Sequence, residues 1–175
     1  MTSLDFFVGF AASGRVEGVG LNSAPEDWSD HLGADFIDDK SKSKKRLRRD
    51  YGLVELGFSR EDGGWRCFVI SIQVHRLWWH DELVPEKLRS KYGEFPKAVS
   101  FEELCRRLEA LKLVPRLIPD EPPGEHDRYY INETKILIDV PSSRRLGDPE
   151  GIPSGSISSM HLSRGSEVWA QPRKN

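Results

Sequence analysis

His75, His80, Asp81 and Glu82 are the residues whose types and spacing come nearest to chemistry. Two histidines in a His-x4-His spacing beside carboxylates offer the nitrogen and oxygen donors that hold a zinc-like ion. One reading is therefore a small metal-dependent hydrolase using His75, His80 and Asp81. His31, His126 and His161 would join such a site only through tertiary proximity. A strand end running into a loop gives the two histidines no reason to converge, so surface histidines are the preferred reading. Nucleophile chemistry has less support. Cys105 falls on the apolar face of a helical pattern and Cys67 inside a strand pattern, which predicts two buried, inert thiols and no disulfide framework. Gly14, Gly18 and Gly20 do not sit between a strand and a helix, so no phosphate cradle is expected. The sequence thus predicts no enzyme, no metal and no cofactor.

Charge is the second feature with functional content. Glu26, Asp27, Asp30, Asp35, Asp38 and Asp39 form an acidic stretch free of Lys and Arg, and the sign then reverses through Lys40, Lys42, Lys44, Lys45, Arg46, Arg48 and Arg49. Phosphate binding is one use of such a basic run. A solvated loop, partly neutralised by the preceding acids, is preferred, because no aromatic is interleaved and the whole chain carries a formal charge of -2. Nucleic acid is accordingly not the expected partner. The tandem Trp78-Trp79 reads either as packing or as an exposed anchor for a protein partner.

The elements that must position these residues centre on Asp50–Trp79. Val54, Leu56 and Phe58 alternate with Leu53, Glu55 and Gly57, and Phe68, Ile70, Ile72 and Val74 alternate with Cys67, Val69, Ser71, Gln73 and His75. Period-two alternation on both sides of Asp62-Gly63 predicts a β-hairpin with one apolar face. Ser3 and Gly14 bracket a short first helix. Ser23-Ala24-Pro25-Glu26 reads as a capping box for a second, carrying Trp28 and Leu32 and ended by a left-handed Gly33. Pro85 to Gly93 forms a connector helix. Ser100 caps the clearest helix, with Phe101, Leu104, Cys105, Leu108 and Leu111 on one stripe. Strands are expected at Val114–Ile118, Tyr129–Ile131, Thr134–Val140 and Ile157–Leu162, with Asp120, Glu121, Glu125 and Asp127 in a proline-rich acidic loop. Only Trp169 stands out in the tail.

These elements predict an α+β fold: an antiparallel sheet with short helices on one face. The chain reads as a single domain over residues 1–175, with sub-units 1–80 and 97–165 joined by a connector 81–96 and echoing each other as helix-plus-sheet halves. Apolar residues at 37%, including five Trp and eight Phe, are enough for a core. Asp5 interrupts the first apolar patch, no Lys or Arg precedes it, and no run is long enough to span a bilayer, so a cytoplasmic protein is expected.

A capped helix ending in Leu32-Gly33, an acidic spacer and then Asp50-Tyr51-Gly52-Leu53-Val54-Glu55-Leu56 resembles bacterial immunity proteins, which are encoded beside toxins. The same order is similar to beta-lactamase inhibitory protein and to the small lipoproteins of outer-membrane assembly; no lipoprotein signal is present here. The resemblance covers residues 20–77 and, more faintly, 99–163. It implies a doubled α/β unit that binds and inhibits a protein. The implied partner is a cognate toxin with a basic cleft, met by Asp35, Asp38 and Asp39 together with Trp78 or Trp79.

Overall fold

A computed structural model describes residues 1–119, 125–142 and 151–165. The first helix, α1 (Ser3–Ser13), begins one residue earlier than Ser3 suggests. Thr2 is the cap: its hydroxyl accepts the Asp5 N–H, and the Asp5 carboxylate accepts the Thr2 N–H at 2.7 Å. Gly14, at φ 66°, ends the helix in the left-handed conformation. Phe6, Phe7, Val8, Phe10 and Ala11 are all buried, which is why strand and helix patterns both fit this stretch. In α2 (Pro25–Leu32) the cap is Ala24, which has no oxygen to offer, so only the Asp27 half of the box forms. Ser23 turns back to donate to the Gly20 carbonyl. Gly33 has φ 101° but an extended ψ of -173°, so it ends α2 in a glycine-type conformation outside the αL region.

The oppositely charged runs do not form a loop. They form β1 (Ile37–Lys40) and β2 (Arg46–Asp50), paired antiparallel with Asp38 opposite Arg49 and Asp39 opposite Arg48. The alternation was hidden because one of the inward positions on β2 is an arginine: Leu47 and Arg49 are both buried. β3 (Val54–Glu61) and β4 (Gly64–Ile72) make the expected hairpin, with Gly63 at φ 98° in the two-residue turn. A bulge shifts its phase. Gly57 faces Val69 but Phe58 faces Cys67, so Phe68 is the extra residue and Cys67 enters the core in its place. The strand stops at Ile72, and Val74–Trp78 winds into a 3₁₀ turn, which takes His75 out of the ladder.

After α3 (Glu86–Tyr92) comes α4 (Phe101–Glu109), where Ser100 accepts the Glu103 N–H at 3.2 Å. Leu104 and Leu108 are fully buried, whereas Leu111 lies beyond the helix end and is exposed. The remaining strands are β5 (Arg116–Ile118), β6 (His126–Ile131), β7 (Ile136–Pro141) and β8 (Ser159–Ser163). Asp120, Glu121 and Trp169 lie outside the described residues.

All eight strands belong to one antiparallel sheet, ordered β1-β2-β3-β4-β8-β7-β6-β5. Two four-strand meanders meet at the β4–β8 seam, where Ile72 faces Met160 and Ile70 faces Leu162. The inward residues of both meanders join Phe7, Phe10, Trp28, Leu88, Leu104 and Leu108 from the four helices in one core. The helices thus cover one face, and the fold is α+β as expected.

Arg49 ties the edge of this sheet to the helix layer. Its guanidinium reaches Asp38 through Nε and Nη2 at 2.8 and 2.9 Å, and the Pro25 carbonyl and Ser29 hydroxyl through Nη1 at 2.9 Å each. A lysine ammonium cannot span those acceptors. Arg49→Lys should fold but lose about 2 kcal/mol, read as a lower urea midpoint; an unchanged midpoint would show that these bonds do not hold β1 to α2.

Candidate functional site

The face of the sheet turned away from the helices carries two cross-strand polar networks. The register places Ser71 opposite His161 and Asp139 opposite both Ser159 and Arg128. Ser71 Oγ lies 2.9 Å from His161 Nδ1, and His161 Nε2 lies 2.7 Å from Ser159 Oγ and 3.5 Å from Asp139 Oδ2. Ser159 donates to Asp139, and Arg128 Nε donates to its other oxygen at 2.9 Å. Burial alone would raise the Asp139 pKa. The hydrogen bonds from His161 and Arg128, and their charges, outweigh it and hold the carboxyl at about 2.

Serine, histidine and aspartate in contact invite comparison with a nucleophilic triad. Ser71, however, sits inside β4, which is hydrogen-bonded to β3 on one side and β8 on the other. Its neighbouring backbone N–H groups are committed to the ladder, so they do not form an oxyanion hole. What this arrangement does is fix the ring of His161 on the sheet surface.

The second network lies across β2 and β3. Arg48 contacts Asp50 at 2.8 Å and Glu55 at 2.5 Å, and Arg76 returns from the 3₁₀ turn to the same two carboxylates at 2.8 and 3.1 Å. The Arg48 hydrogen bond leads the effects that keep the Glu55 carboxyl below its usual range. Between the networks runs a groove of about 340 Å³, lined by Arg46, Arg48, Glu55, Gly57, Phe68, Val69 and Ser71. Gly57 is its floor. A Cβ there would lie 2.5 Å from Val69 Cγ1 and 3.0 Å from Phe68 Cζ, so these two side chains lean across the strand where a side chain is absent. The Arg46 guanidinium caps the Phe68 ring at 4.4 Å.

The residues singled out from sequence are distributed differently. Asp38 is engaged by Arg49, while Asp35 and Asp39 are exposed, Asp39 in register with Arg48. Trp78 is half-buried and Trp79 is 56% exposed. Trp79 lines a 130 Å³ pocket with His126 and Pro141, on the β6–β7 side. Five inter-strand steps separate β1 from β7, about 24 Å. The aspartates and Trp79 therefore do not make one patch. His75 is half-buried with Nδ1 3.3 Å from the Ser158 carbonyl, and burial lowers its pKa. His80 instead faces Glu82 at 2.9 Å. Among the described residues, no three His, Cys, Asp or Glu side chains converge as a metal-ligand group. Burial drives the Cys67 thiol up to about 12, and half-burial raises Cys105. The Ser71–His161–Asp139 network escaped sequence reading because its members are 90 and 22 positions apart and only the β4–β8 and β7–β8 pairings join them.

Compared with known proteins, the chain matches no family model, no curated protein and no solved structure.

Asp139 makes acid stability a test of the central network. Its folded pKa lies below the unfolded value, so its contribution is complete above about pH 5 and is lost as pH falls toward 2. The stability advantage of the wild type over Asp139→Asn should shrink by about 2 kcal/mol across that range in urea titrations; a constant difference would remove the pairing from the account.

Proposed function

We propose that this chain is a cytoplasmic protein-binding module of the immunity type, which inhibits a toxin by covering part of it with the helix-free face of the sheet. The observation that carries this reading is the two-sided build. One face is consumed by the helices and the core. On the other, β2, β3, β4 and β8 present a groove between two networks whose charged groups already hold one another in place. Side chains ordered before binding cost little further entropy on binding, which favours a protein interface. Phe68 and Val69 supply apolar area inside a polar rim, the usual anatomy of such a surface. Asp35 and Asp39, exposed at the β1 edge, keep carboxylates available to a basic partner, and this role does not extend to Asp38 or Trp79. No helix among the described residues is long and apolar enough to cross a membrane.

The purified product of the adjacent reading frame is the partner to titrate. Val69→Arg, in the groove, should weaken the complex by about 100-fold or more, the scale of a hot-spot loss. Glu102→Arg, on the solvent side of α4, should leave it intact. Thermal melts of both variants establish folding. Equal binding by the two variants, or no complex with the wild type, would refute the assignment.

A further inference from the structure

The basic run has a second part, of which the protein-binding groove uses only Arg46. Arg48 and Arg49 are taken up by carboxylates, but the rest of the run converges with cations from distant positions. Antiparallel pairing puts the β1–β2 turn, the β3–β4 turn and the end of β8 at the same end of the sheet. The backbone confirms the proximity: Arg60 N–H donates to the Lys45 carbonyl at 3.0 Å, and Arg164 N–H to the Phe68 carbonyl at 2.9 Å. Lys40, Lys42, Lys44, Lys45, Arg46, Arg60, Arg66 and Arg164 thus share one end, with Asp39, Glu61 and Asp62 the acids beside them. Eight cations against three acids leave a local excess of five positive charges in a chain whose total is -2. At physiological salt, screening acts over about 8 Å, so a ligand at this end meets the local charge and not the total. Among the described residues, only Arg164 of these eight forms a salt bridge, with Glu61.

The aromatic component that the run lacks in sequence is supplied across strands. On the helix-free face Arg46 lies over Phe68 at 4.4 Å, while Arg60 approaches Trp65 at 5.9 Å on the core-facing side of the sheet. The Arg46 guanidinium over the Phe68 ring keeps its outer side and N–H groups for a ligand. A phosphate takes the edge and an unstacked base takes the plane, whereas a carboxylate side chain uses only the edge.

We propose that this end of the sheet binds single-stranded nucleic acid, with the lysines on phosphates and the Arg46–Phe68 stack as a platform for a base. Four inter-strand steps separate β1 from β8, about 19 Å, enough for about four phosphates. The site shares Arg46 and Phe68 with the groove, but its lysines lie outside it and the proposal does not rest on the protein-binding reading.

Fluorescence anisotropy with a labelled, mixed-sequence DNA single strand of about 20 nucleotides tests this. Four phosphates at a slope of about -0.7 each give about a 50-fold loss of affinity between 50 and 200 mM NaCl. The exposed triple variant Lys42→Glu, Lys44→Glu, Lys45→Glu should bind at least about tenfold more weakly at 50 mM, with unchanged circular dichroism. Arg46→Gln, which keeps the lysines, should lose severalfold. A duplex of the same length and polyglutamate of equal charge should each compete at least about tenfold less well than the single strand. Absence of binding at 50 mM, wild-type affinity in the triple variant, or equal competition by polyglutamate or duplex would overturn the proposal.

Discussion

A buried guanidinium is costly unless its nitrogens find acceptors, and at 7% exposure each of the three nitrogens of Arg49 does so. Two of its nitrogens grip Asp38, a third is shared by the Pro25 carbonyl and the Ser29 hydroxyl, and its plane lies 3.7 Å over the Phe36 ring. Burial would weaken its charge, yet the Asp38 hydrogen bonds more than compensate and its pKa is raised. Three segments are joined by this one side chain: β2, the acidic strand β1 and the first turns of α2. Without it, β1 would be a four-residue edge strand exposed at every position and held only by its ladder with β2. The acids that look like an interface in sequence are therefore partly structural, and the basic run is divided between the core edge and the solvent.

That division gives the sheet a polarity along its strands. At one end, Asp50, Glu55, Arg48 and Arg76 neutralise one another in a closed set. At the other, lysines and arginines stand in excess beside two turns. Antiparallel pairing is the cause, since it returns every second turn to the same end and so pools charges that lie far apart in the chain. The helix-free groove runs between these ends, with mixed charge along its walls and a basic rim beside it.

The β4–β8 seam has a comparable reach. It joins two meanders into one surface, brings Ile70 and Ile72 against Leu162 and Met160 on the core side, and brings Ser71 against His161 on the other. One strand pairing thus decides both the continuity of the core and the composition of the exposed face. The bulge at Phe68 adds a local decision: it sends Cys67 inward, leaves Phe68 over Gly57, and so creates the wall of the groove.

The short-range elements were legible because local chemistry dictates them. Period-two alternation around Asp62-Gly63 requires a hairpin, Pro25 and Ser100 open helices, and Gly14 and Gly93 close them, whatever lies elsewhere in the chain. The α+β class and the one-sided helix layer follow from those patterns. Other features needed the folded chain. β1 and β2 show no apolar alternation, because the inward position opposite Asp38 is filled by an arginine whose burial is tolerable only once α2 supplies its acceptors. The site is of the same kind. Ser71, His161, Asp139 and Arg128 carry no sequence spacing that relates them, and neither do Lys44, Arg60 and Arg164. Strand order alone makes them neighbours, because hydrogen bonding between strands acts across space and is indifferent to separation along the chain.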